Sequence, residues 1–273
     1  MLSSKKAAAQ ATLVDYHRPA WLSRINRKAV GAVIHALRIL EYLSTLPSPV
    51  RVTHVAKELG MHLSTCFNIL NTLVLQGYVQ FSPRGKGYSI SSQVANLARG
   101  AVDPKGALAA AQPEMRRIAQ THDLIITVWK RSAIDRMTLV AASESDAAVR
   151  LHLTVGHTIR LLLGSVGRVM ATRVEMDRDE LRQSFQNVRW NKPMDFDSFM
   201  LEAQTARAQG YAVDDAVANK GLLSIASPII TDSAYCDTVC CASMFVGTYP
   251  DTTIKVIAHD LVGLCRLIAH IGN

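Results

Sequence analysis

Apolar residues between positions 30 and 91 recur at helical spacing in three short blocks, then switch to alternation. Val30, Val33, Ile34, Leu37 and Leu40 fall on one stripe that Leu43 extends, so Ala29 to Leu46 is expected to be a helix ended by Pro47 and Pro49. It is expected to form the scaffold beneath the next two. Val52 to Gly60 reads as a short amphipathic helix closed by glycine, Met61 to Thr65 as a turn, and Cys66 to Gln76 as a second helix stopped at Gly77. In that second helix Cys66, Ile69, Leu70, Leu73 and Val74 follow the i, i+3, i+4, i+7, i+8 rule of a buried stripe. The period then drops to two. Tyr78 to Phe81 and Tyr88 to Ile90 read as paired strands around a Pro/Gly turn that carries Arg84 and Lys86. Two helices across a tight turn, followed by a basic-tipped ribbon, predict a winged helix-turn-helix whose second helix is shaped for a major groove.

Beyond residue 91 the texture changes. Gln93 to Ala98 looks helical, Asp103, Pro104 and Gly106 interrupt it, and Ala107 to Gln120 resumes. Strands are expected over Leu124–Lys130, Met137–Ala142 and Val149–Leu153, then helices over Ser165–Val174, Arg178–Gln186 and Phe196–Gln209. Ser224–Ile230 and Thr238–Val246 return to strand, and Thr253–Ile271 is an apolar-striped closing helix. Strand runs around a central helical block predict an α+β domain with an antiparallel sheet. The expected organisation is a basic arm over 1–29, the winged helix over 30–91, a linker helix over 92–106 and the α+β domain over 107–273.

Charge sharpens this division. The net charge of the 273 residues is +8, but residues 1–100 hold 12 Lys/Arg against 3 Asp/Glu, whereas the remainder holds 18 against 19. A basic module attached to a neutral one fits a reader of double-stranded DNA joined to a domain with another task. The arm, with Arg24, Arg27 and Lys28, is open to two roles, contact with DNA or packing on a partner subunit; Trp21 favours packing. No leader-like apolar segment and no run of membrane-spanning length is present, so a cytoplasmic protein with reduced thiols is expected. Cys236, Cys240 and Cys241 have no second cysteine pair nearby, which favours packing or pocket lining over zinc. In a strand, Cys240 and Cys241 would face opposite sides.

The face opposite the buried stripe of the second helix presents Ser64, Thr65, Phe67, Asn68, Asn71 and Thr72. Short hydroxyls near a helix start suit phosphate anchoring, and asparagine can pair with an adenine edge. Together with Thr53 in the preceding helix and Arg84 and Lys86 on the wing, Ser64, Thr65, Phe67, Asn68 and Asn71 are the candidate DNA contacts. No catalytic signature is found: no G-x-S-x-G, H-E-x-x-H, P-loop or dinucleotide glycine motif, and Asp214-Asp215 reads as a turn. No enzyme activity, cofactor or metal is expected. Val155 to Arg160 followed by Leu163 to Arg168 reads as a strand end and a small-residue turn entering a helix. Two roles stay open for it. One is an anion site with Arg160 as a carboxylate fork; the other is close strand–helix packing beside a surface arginine.

Taken in order, these features resemble the IclR-type bacterial transcription regulators. The first half carries the resemblance in Val55-Ala56, Leu59-Gly60, Ser64-Thr65, Leu70, Leu73 and Gly77-Tyr78-Val79; the second half in Gly156, Gly167, Arg168, Gly210-Tyr211-Ala212, Asp214, Gly221, Ala226 and Pro228. It spans roughly residues 30–270. The resemblance implies a winged helix, a linker helix and an α+β domain that binds a small effector, in a homodimer or a dimer of dimers. By the same alignment Ile159, Ser165, Val166, Asp214, Leu222, Ser224 and Ser243, with Arg160, are the effector-site candidates. The chain departs from the family at Asn68 (commonly Arg), Arg160 (Pro), Gly164 (Thr or Ser), Arg168 (Lys) and Ala216-Val217 (an acidic pair). The expected function is a ligand-responsive regulator of catabolic genes answering to a small organic acid, aromatic acids included. The rival is a ligand-independent architectural or partner-binding protein.

Overall fold

A computed structural model describes residues 29–103, 105–231 and 236–273, residue 99 by its backbone alone. The arm read from residues 1–29 lies, except for Ala29, outside them. The described residues up to 103 form one compact unit and those from 105 onward a second.

In the first unit, helices α1 (Gly31–Ser44), α2 (Val52–Leu59) and α3 (Leu63–Leu75) precede strands β1 (Val79–Ser82) and β2 (Gly87–Ile90) and helix α4 (Gln93–Val102). α2 stops because Gly60 adopts φ +64°, a left-handed value that favours glycine, and the Met61 N–H then reaches back to the Ala56 carbonyl at 2.8 Å. That tight exit starts α3 at Leu63, three residues earlier than its apolar stripe suggested. The core joins Ile39 and Leu43 of α1, Val55 and Ala56 of α2, Cys66, Leu70 and Leu73 of α3, and Val79 and Tyr88 of the wing. Each large apolar side chain buried here stabilises the unit by about 1.5–3 kcal/mol.

The α1 stripe is corrected in part: Leu40 and Leu43 pack on the core, but its earlier members do not. Val30, Val33 and Leu37 are 64%, 56% and 55% exposed, Ile34 is exposed too, and the face that meets the core runs through Ile39 and Leu43. In the wing, Val79 pairs with Ile90 and Phe81 with Tyr88, whose rings lie 4.9 Å apart. A two-way backbone bridge from Val50 to Tyr88 fastens the ribbon to the segment before α2.

The second unit runs α5 (Ala107–Thr121), β3 (Ile125–Ala133), β4 (Arg136–Ser143), β5 (Thr158–Arg160), α6 (Gly164–Met170), α7 (Arg178–Gln186), α8 (Phe196–Gln209), β6 (Ala212–Asp215), β7 (Leu222–Pro228), β8 (Thr238–Phe245) and α9 (Asp251–Gly272). The sheet is antiparallel throughout, in the order β5-β4-β3-β8-β7-β6. The side chains of Cys240 and Cys241 separate as strand parity requires: Cys240 meets Cys265 of α9, and Cys241 meets Ser165 of α6. Two strand readings change. Val149–Leu153 pairs with nothing and is not a strand; the edge strand is Thr158–Arg160. Ala212–Asp215, whose carboxylates looked like a turn, pairs with β7 as the opposite edge.

Candidate functional site

Each unit carries a candidate site. In the first, α3 exposes Ser64, Phe67 and Asn68, while Thr65 and Asn71 are half-buried at its flanks. Its N-cap, His62, places no side chain on the first-turn N–H groups, so these stay open to an acceptor such as a phosphate oxygen. Thr53 is exposed in the first turn of α2, and Arg84 and Lys86 are exposed at the wing tip. All eight candidates therefore belong to this unit, six of them exposed. Arg51, His54 and His62, also exposed and each beside a helix start, were not singled out from the sequence; the helix boundaries that mark them were needed first.

In the second unit, strand register builds a row. Asp214 stands opposite Ser224, and Ser224 opposite Ser243, so three polar residues cross three strands on one face. The start of α6 covers this row. The Ser165 hydroxyl lies 2.8 Å from that of Ser224 and 3.8 Å from the Cys241 sulfur, which lies 3.6 Å from the Ser243 hydroxyl. A continuous hydroxyl–thiol wall results. Burial pushes the Cys241 thiol up, so it is present as the neutral donor. Between this wall and an apolar one lies a cavity of about 300 Å³. Ile159, Val166 and Leu222 supply apolar surface, as do Trp129, Leu151 and Leu153; His152, His157 and Asn219 are the remaining polar residues around it. Of the eight residues expected from the sequence, Ile159, Ser165, Val166, Asp214, Leu222, Ser224 and Ser243 line this cavity.

Arg160 does not, and this corrects the carboxylate-fork reading. Adjacent residues of a strand face opposite sides. Ile159 faces the cavity, so Arg160 faces away, where its guanidinium pairs with Asp135. Asp214 is also not a free acid. Its Oδ1 accepts from Arg168 Nη1 at 2.7 Å and its Oδ2 from the Ala218 N–H at 3.1 Å. Arg168, only 2% exposed, is shared with Glu202 at 2.5 Å. The bonds from Arg168 and the Ala218 N–H fix the Asp214 carboxylate at the cavity edge. α6 has no side-chain cap, so its first-turn N–H groups, on Gly164, Ser165 and Val166, supply donors at the cavity wall. Sequence reasoning missed Trp129, His157 and Asn219, which come from segments far apart in the chain. The alternation of Leu151 and Leu153 is visible in the sequence, where it reads as a strand rather than as a cavity wall.

A two-module chain with this sheet order and this cavity invites comparison with known proteins. Residues 32–83 match the model of the IclR helix-turn-helix domain, and residues 100–241 that of the bacterial transcriptional regulator IclR C-terminal domain. The chain belongs to the IclR family. Among curated IclR-type relatives, the HTH-type transcriptional regulator KdgR of Escherichia coli K12 is 24% identical over 208 residues, 74% of this chain and 77% of that one. Of solved IclR structures, the regulator from Alicyclobacillus acidocaldarius superposes with a TM-score of 0.72 at 20% identity, covering 90% of this chain and all of the other. An IclR homolog from Microbacterium hydrocarbonoxydans, complexed with 4-hydroxybenzoate, gives 0.70 at 12% identity, covering 88% and 98%. As an IclR member the chain is a DNA-binding transcription regulator. Among the described residues no helix is long and apolar enough to cross a membrane, and no group of three His, Cys, Asp or Glu is arranged to hold a metal ion.

Proposed function

We propose that this regulator acts in the cytoplasm without catalysis of its own, and releases or engages its operator in response to a small organic acid bound in the 300 Å³ cavity. The observation that carries the reading is the pairing of the uncapped α6 start with the Ser165–Ser224 and Cys241–Ser243 wall opposite apolar Trp129 and Ile159. Backbone N–H groups and hydroxyls hold a carboxylate, and the apolar side takes a short or aromatic body. The 4-hydroxybenzoate complex of the Microbacterium hydrocarbonoxydans homolog supports an aromatic acid, and with it control of catabolic genes. In the other unit, Ser64, Thr65 and the wing cations contact phosphates, and Asn68 and Asn71 read bases.

Calorimetry with 4-hydroxybenzoate and a panel of short carboxylic acids tests the cavity. Ser165→Ala is expected to weaken the preferred acid by about 10- to 150-fold, the loss of a charge-assisted hydrogen bond of about 1.5–3 kcal/mol. Arg160→Ala is expected to leave affinity unchanged, because its guanidinium serves Asp135. The reverse pattern would move the acid out of this cavity.

A further inference from the structure

A second concavity, of about 220 Å³, lies in the same unit beside the far end of α6, lined in part by Arg173, Arg207 and Arg266. Several arginines of the unit are met by acids: Arg117 by Glu114, Arg160 by Asp135, Arg168 by Asp214 and Glu202, Arg178 by Asp197; Arg131 instead donates to the Ala133 and Ile134 carbonyls. None of the three arginines of this concavity has a carboxylate partner among the described residues. Arg173 is half-buried and donates only to neutral acceptors, the Val169 carbonyl at 2.9 Å and the Thr172 hydroxyl at 3.5 Å. Arg207 donates to the Thr172 carbonyl. Burial, and after it the charge of Arg207, hold the Arg173 guanidinium below its ordinary pKa despite the nearby Cys236. Three arginines thus line one concavity, and the repulsion between Arg173 and Arg207 is one that an anion would offset.

We propose that this concavity is an anion site for a short-chain organic phosphate. A phosphate monoester carries close to two negative charges near neutral pH and several acceptor oxygens, enough for more than one guanidinium fork; a monocarboxylate would satisfy one. The remaining wall is apolar, from Pro228, Ile230, Val262 and Ala269, and takes a small carbon body. Ser227, whose hydroxyl donates to the Gly210 carbonyl at 3.0 Å, keeps oxygen lone pairs that can accept from a hydroxyl on that body. The assignment does not depend on the acid cavity at the other end of α6.

Titration of the full-length protein with sodium phosphate and with 3-phosphoglycerate, at ionic strength held constant with chloride, tests it. The wild type is expected to bind the organic phosphate saturably at one site per chain. The exposed pair Arg207→Gln with Arg266→Gln is expected to weaken binding at least tenfold, and Arg173→Gln alone to weaken it as well. Without anion, the double variant is expected to melt no lower than wild type, since mutual repulsion has been reduced. Equal affinity in wild type and double variant overturns the proposal, as does the absence of saturable binding. If phosphate fails to bind while the substitutions shift sedimentation, the arginines cover a second copy instead; if they lower affinity for all DNA alike, they serve the phosphate backbone. Either result also rejects the proposal.

Discussion

A Cβ on Gly167 would sit 2.1 Å from the carbonyl carbon of Leu162 and 2.2 Å from its oxygen, so the turn entering α6 closes on bare backbone. The same turn carries Ser165, whose hydroxyl meets that of Ser224. Gly167→Ala is expected to cost about 1–3 kcal/mol, the range for overpacking a close contact, read from the urea midpoint; an unchanged midpoint would mean that the turn relaxes freely. The glycine was visible in the sequence as a shared family position, but the reason for it was not, because only the folded turn brings Leu162 against it. Arg160 shows the opposite case. Its side-chain chemistry suited a carboxylate, yet its direction depends on strand parity, and parity could not be assigned while the edge strand was placed at Val149–Leu153 rather than Thr158–Arg160.

At the scale of elements, the winged helix was legible because two glycines, two prolines and a change of period mark its boundaries. What the periodicity could not show was which part of an apolar stripe meets the core. On α1 the stripe's earlier members, Val33, Ile34 and Leu37, and Val30 just before it are exposed, whereas Leu40 and Leu43 pack on the core. On the wing, Arg84 and Lys86 stand exposed beyond the paired residues Ser82 and Gly87. Placed so, they are proposed to contact phosphate, which carries no base information. Arg84→Ala and Lys86→Ala are each expected to weaken binding to operator and random DNA alike, and to flatten the log–log salt dependence by about one unit for each phosphate left unneutralised. An operator-selective loss at constant salt slope would instead place the wing on base edges.

For the whole molecule, the α+β architecture followed from the order of strand and helix runs, but the edge strands did not, since three- and four-residue strands carry too little alternation to stand out. The exposed apolar turns of α1 supply a surface that a homodimer would cover, and two reader helices held about 34–36 Å apart would match successive major grooves. Sedimentation at micromolar concentration is expected to give a dimer or a dimer of dimers, and Val33→Glu with Leu37→Glu to shift it towards smaller species. A wild-type monomer that binds one half-site tightly would contradict this.

The central claim is that an acid in the α6 cavity changes what the winged helix does on DNA. Fluorescence anisotropy on an operator selected from genomic DNA with the purified protein measures this directly, with and without the preferred acid. The wild type is expected to prefer its operator over random DNA by at least about a thousandfold, and the acid to change operator affinity by about 5- to 150-fold, the usual span of a coupling of 1–3 kcal/mol. Ser165→Ala is expected to keep the unliganded affinity and to need a correspondingly higher acid concentration for the same shift. A protein that binds all DNA alike, or an operator affinity that no carboxylic acid alters, would contradict the account and leave an architectural protein in its place.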